Sequence, residues 1–251
     1  MIRTPSLDYQ LSLFLKDWPT GIFNKSKSIN KPKITFPLAE LEHFFSDISN
    51  LSIDNHSFFS FNPWEVSGLK RNEVRNSSVL AWLLTPNGSH GFGKTPILTL
   101  LKYISQATKK KFPTYFNYCY VNVEINPSGD PTNRVDIQIR ADNFYLLVEV
   151  KIDADEQKNQ IARYCVEAEK TANKRPWGIV YLTPDGRQPI SNNELTSDDS
   201  IFCLSWQTLS SHLRNALQTQ YQSVFATNNH SPMRQFAALS VWCFLDQIEQ
   251  F

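Results

Sequence analysis

The amino-acid sequence predicts an α/β fold, a central sheet of about five strands flanked by helices, and three stretches carry that prediction. Residues 134–140 and 144–151 alternate apolar and polar side chains with the two-residue period of a strand. Asp142 and Asn143 between them tolerate the positive φ of a tight hairpin. Residues 153–168 then change to the 3.6-residue period of a helix, with Ile161, Cys165 and Ala168 as the apolar stripe. Residues 177–183 are a short apolar run closed by Thr183-Pro184-Asp185-Gly186, the pattern of a buried strand.

Composition sets the bounds. The 251 residues, 41% of them apolar, suffice for one large domain with an appendage, and a division into residues 1–60 and 61–251 is expected. A net charge of +1 means that any nucleic-acid surface must be a local basic patch. Cys119, Cys165, Cys203 and Cys243 form no Cys-X-X-Cys pair, which argues against a zinc site or disulfide framework and for a reduced compartment. The first residues lack a signal-peptide pattern, and the apolar run 236–245 is about half the ~20 residues that span a bilayer. A cytoplasmic protein without a membrane partner is expected, and a homodimer is one arrangement open to it.

In chain order, a short helix is expected near residues 9–17. A basic connector follows at 24–33, read as a solvated loop or a phosphate contact. A helix over 37–49 carries the stripe Leu38, Leu41, Phe45 and Ile48. Residues 70–84 are helical, with Glu73, Ser77, Leu80 and Leu84 on one face, and Thr85-Pro86-Asn87-Gly88 ends them. His90, in a glycine-rich turn, reads either as a structural histidine or as a phosphate contact. A helix over 95–106 and a strand over 118–125 precede the hairpin, and Glu124 reads as a strand-end charge or a neighbour of the site. Asp153 with Glu156 predicts a capping box opening the next helix, on which Gln157, Gln160 and Tyr164 share a face. A fifth strand over 201–204 and helices over 207–217 and 232–248 close the chain.

The hairpin carries the chemistry. A two-residue loop pairs Ala141 with Phe144, Ile139 with Leu146, Ile137 with Val148 and Val135 with Val150, which sets Asp136 opposite Glu149. Carboxylates ~5 Å apart repel by about 3–4 kcal/mol at an effective dielectric near 20. Something positive must stand between them, either Lys151 on the same face or a divalent cation.

An Asp followed on the next strand by Glu-X-Lys, here Asp136 and Glu149-Val150-Lys151, resembles the PD-(D/E)XK nuclease superfamily. Gln160-X-X-X-Tyr164 is similar to the motif that follows the lysine strand in its RecB-like branch. Residues 72–91 resemble the opening of a bacterial family within it. The likeness spans roughly residues 70–185 and departs at Val135, which stands where the superfamily's name has proline.

The resemblance implies a restriction-endonuclease-like core, a mixed sheet with helical additions at both ends, and hydrolysis of nucleic-acid phosphodiester bonds, with DNA as the substrate expected. It implies Asp136, Glu149, the Val150 carbonyl and Glu73 as ligands of Mg²⁺, with Mn²⁺ as a substitute, since oxygen-only ligands favour these ions over zinc. It implies Lys151 as the residue that orients the attacking water, and Gln160 and Tyr164 as supports of the site that also touch nucleic acid; Gln157 on the same helix face and His90 in its glycine-rich turn are further nucleic-acid contacts expected. Defence against foreign DNA or DNA repair is the setting it suggests. The alternative keeps the fold without the reaction: a silent nucleic-acid-binding or assembly module.

Overall fold

A computed structural model describes residues 61–107, 112–125, 134–157, 159–190, 200–226 and 231–251. The helices expected at 9–17 and 37–49, the basic connector and the boundary after residue 60 lie outside the described residues. The elements are α1 (Pro63–Val66), α2 (Glu73–Leu84), α3 (Thr95–Ala107), β1 (Cys119–Ile125), β2 (Val135–Ala141), β3 (Tyr145–Val150), α4 (Gln160–Ala172), β4 (Trp177–Thr183), β5 (Ile201–Ser205), α5 (Trp206–Ala226) and α6 (Pro232–Ile248). They form the restriction-endonuclease-like α/β core: one five-stranded mixed sheet in the order β1-β2-β3-β4-β5. The pairs β1–β2 and β2–β3 are antiparallel, and β3–β4 and β4–β5 are parallel. No described helix is long and apolar enough to cross a membrane.

The hairpin register is the one its alternation dictates, with Ile137 paired to Val148 and Ile139 to Leu146. Two features of the hairpin differ from expectation. Neither Asp142 nor Asn143 takes positive φ. The segment before β1 holds the turn instead: Asn117 donates to the Asp142 carboxylate from both N and Nδ2, and Asn143 Nδ2 donates to the Tyr115 carbonyl. The second face that the β3 alternation sets apart is covered as well, because helices pack on both faces of the sheet centre and every β3 residue is buried. Val135 leaves the apolar face of Ile137 and Ile139 and joins Tyr145, Leu147 and Tyr164 under α4. Glu124, which the β1 register sets against Asp136, is left-handed with φ 48°, so the strands lose their regular course at this point.

The helix α2 starts three residues later than its periodicity suggests, because Asn72 caps it by accepting from Arg75 N, and Lys70 is left-handed with φ 43°. The capping box of Asp153 and Glu156 does not form. The amides of Ile152, Asp153 and Ala154 donate to Glu73 Oε1, Asp153 pairs with Arg71, and Glu156 accepts from Ile190 N. With its capping groups engaged elsewhere, α4 starts only at Gln160, behind a left-handed Asn159. The helix α5 runs nine residues past the expected end at 217, and Val224 anchors the extension in the core.

Candidate active site

The site stands at the end of β3. Register carries Asp136 and Glu149 to the same face of neighbouring strands, and Lys151 follows two residues later on that face. Asp136 Oδ2 accepts from Val150 N at 2.8 Å, which ties the acid of β2 to the main chain of β3. Lys151 Nζ donates to Glu149 Oε1 at 2.7 Å, and Gln160 Nε2 donates to the same oxygen at 2.7 Å. Glu149 Oε2 is buried and has no hydrogen-bond partner among the described residues.

Burial drives the electrostatics. It pushes the Glu149 carboxyl up to about 7, with help from the neighbouring Asp136 charge and against the pull of Lys151. Burial raises the Asp136 carboxyl too, opposed by the Val150 amide and Lys151 and reinforced by Glu73. For Lys151 burial works downwards, but the Glu149, Asp136 and Glu73 charges outweigh it and the ammonium is held above its ordinary value. Two acids that resist ionisation side by side, one with an orphaned oxygen, match the demand of a small divalent cation for oxygen ligands.

Glu73 reaches this neighbourhood from α2, but its Oε1 accepts from three successive amides, Ile152 at 2.7 Å, Asp153 at 3.2 Å and Ala154 at 3.0 Å. It clamps the segment leaving Lys151. Among the described residues no three His, Cys, Asp or Glu side chains gather closely enough to hold a metal ion. The carboxylates on hand for an ion are therefore the pair Asp136 and Glu149, and a Mg²⁺ site of two carboxylates completed by water and substrate oxygens is a familiar composition.

The α4 residues fall into two groups. Gln160 and Tyr164 are buried, and Gln160 Nε2 also donates to the Tyr164 hydroxyl at 3.0 Å. Tyr164 in turn donates to the Arg134 carbonyl, locking α4 to the start of β2. Both therefore face the acids, and neither presents a surface for nucleic acid. Gln157 lies before the helix, exposed, and its amide donates to Gln160 Oε1.

His90 is fully buried, which corrects its reading as a phosphate contact. Nε2 sits 2.9 Å from the Thr85 carbonyl, Nδ1 accepts from Phe92 N, and the ring packs against Trp82 and Phe92. Glu124 forms an exposed ion pair with Arg134 at 3.6 Å.

Two residues that the sequence does not single out support the site. Trp206 Nε1 donates to the Lys151 carbonyl at 3.3 Å, and Arg71 grips Asp153 and reaches the Ile152 carbonyl. Separations of 55 and 82 residues leave no local spacing by which either could be found.

A family model described as the PD-(D/E)XK nuclease superfamily matches residues 61–238. No curated protein and no solved structure matches the chain.

Proposed function

The chain belongs to the PD-(D/E)XK nuclease superfamily, whose members act on nucleic acid, and from that premise we propose that it hydrolyses phosphodiester bonds of DNA in a Mg²⁺-dependent reaction. The observation that carries this reading is Glu149 Oε2, a buried carboxylate oxygen without a partner among the described residues, beside a second acid. Groups of this kind are otherwise costly to bury, by about 1–3 kcal/mol or more.

Asp136 and Glu149, with the Val150 carbonyl, would hold Mg²⁺ or Mn²⁺, which supplies charge to polarise the scissile phosphate and to acidify water. Lys151 holds and aims the attacking water. Its ammonium is anchored on Glu149 Oε1, and its remaining donors have no partner among the described residues. The same charge offsets the negative charge that grows on the phosphate oxygens as the bond to the leaving oxygen breaks. Gln160 fixes the Glu149 carboxylate, Tyr164 fixes Gln160, and Glu73 fixes the main chain after Lys151. Each of these three positions another group.

Incubation of the purified chain with labelled single-stranded, duplex and branched DNA and RNA, in Mg²⁺, Mn²⁺ or chelator, tests the reading. DNA cleavage in either metal and none in chelator is expected. Cleavage that persists in chelator, or no cleavage of any substrate, overturns it.

A further inference from the structure

The two faces of the sheet are covered unevenly. On one, α2 packs over β1 and β2; on the other, α4 packs over β3 and β4. The α4-side face of β1 and β2 is the face of Asp136 and Glu149, and beyond the acids Tyr120 and Arg140 on it are exposed. Register sets Tyr120 against Arg140 and Asn122 against Gln138 there, all in phase with Asp136. Gln138 is buried and donates to the Tyr145 hydroxyl, which closes the floor.

Tyr118 and Tyr120 are 56% and 58% exposed, with ring centroids 6.0 Å apart. Arg140 is exposed. Its guanidinium, the two phenols and the Asn122 amide make no hydrogen bond or ion pair with the described residues. Paired exposed aromatic rings beside an exposed guanidinium are what successive nucleobases and a phosphate require, since every base has a face to stack and every phosphate a charge to meet. Asp136 lies four residues from Arg140 along β2, about 14 Å at the ~3.4 Å strand rise. A duplex hides its base faces; an unpaired strand presents them.

We infer that Tyr118, Tyr120 and Arg140 form a stacking platform that holds unpaired bases of a single-stranded stretch of nucleic acid on the face of Asp136, about 14 Å along the strand from it. The inference rests on the nuclease reading and specifies its substrate as single-stranded or frayed.

Fluorescence anisotropy of the full chain in chelator, with a labelled oligothymidine and a duplex of equal length, tests binding apart from cleavage. Tyr120→Ala and Tyr118→Ala are expected to weaken oligothymidine binding about 5- to 150-fold each, the range for loss of one stacked base, while Tyr120→Phe keeps it. Arg140→Ala should lower both the affinity and its salt dependence. Melting temperatures confirm that these exposed positions leave the fold intact.

Oligothymidine binding that is absent in the wild type, or the same in all variants, overturns the platform. So does a change in oligomeric mass without a change in affinity, which would reassign the face to a protein contact. Tyr120-dependent binding without cleavage in Mg²⁺ would leave the platform standing and sink the reaction; cleavage indifferent to Tyr118 and Tyr120 would do the reverse.

Discussion

Lys151 Nζ donates to one oxygen of the Glu149 carboxylate at 2.7 Å, with the two side chains 8% and 2% exposed, while the other oxygen of that carboxylate has no partner among the described residues. The pair is half of an ionic site. Its lysine balances one charge, and the two neighbouring acids carry two.

The first prediction concerns pH. An unfolded Glu releases its proton near 4.5, whereas Glu149 in the folded chain holds it to about 7. Between those values the folded state binds more protons, so this group's contribution to stability is complete below about 4.5 and is lost as pH rises through 7. The loss is on the order of 3 kcal/mol. Asp142, Asp153 and Asp185 are shifted the other way from 3.8 and act only below this window. His90, lowered by burial, works the other way within this window in both proteins, so in chelator the change in melting temperature from pH 5 to pH 8 should be more negative in wild type than in Glu149→Gln. Equal slopes would refute the buried acid.

Asp136→Asn keeps the shape and the acceptor for Val150 N while removing one of the two charges. Metal-free protein should gain roughly 1–3 kcal/mol after screening. Cleavage and most of the Mg²⁺-induced rise in melting temperature should be lost together, because stabilisation by a ligand tracks its affinity for the folded state. A variant that melts lower in chelator and still responds to Mg²⁺ like wild type would remove the paired-acid site.

Lys151→Ala removes the water-orienting ammonium and leaves both acids. Cleavage should fall at least ~100-fold, the scale for loss of a positioned charge at the reacting centre. The Mg²⁺-induced melting shift should persist. Near-normal turnover on a verified substrate would end the role assigned to Lys151.

Glu73 separates two roles by the choice of substitution. Glu73→Ala strips the acceptor from three amides and should cost about 1–3 kcal/mol, with slower cleavage as the segment after Lys151 loosens. Glu73→Gln keeps an acceptor and should recover most of the stability and rate. A stable but inactive Gln variant would instead place the Glu73 charge in direct service of the reaction.

Gln160→Ala deprives Glu149 Oε1 of a donor that favours the ionised form. Mg²⁺ stabilisation, which needs that carboxylate deprotonated, should then appear at higher pH than in wild type. Tyr164→Phe acts one step further away and should show the same displacement, smaller. A drop in melting temperature with an unmoved pH profile would make both residues packing elements only.

Sequence alone determined the hairpin, its register, and hence the meeting of Asp136, Glu149 and Lys151, because the two-residue alternation of a strand permits one pairing that keeps every apolar residue inside. The stripe Ile161, Cys165 and Ala168 and the strand Trp177–Thr183 follow from the same kind of local regularity. Tertiary structure decided where the leftover polar groups go. Glu73 and the Ile152 amide are 79 residues apart, and Arg71 and Asp153 are 82 apart. Those contacts, invisible to any periodicity, dismantled the capping box and delayed α4 to Gln160. Likewise the burial of His90 and the crossing of Val135 to the α4 side depend on what packs from elsewhere. Local pattern sets which face a side chain takes, but a buried donor or acceptor is satisfied by whatever partner the folded chain brings within 3 Å, and that partner has no address in the neighbouring residues.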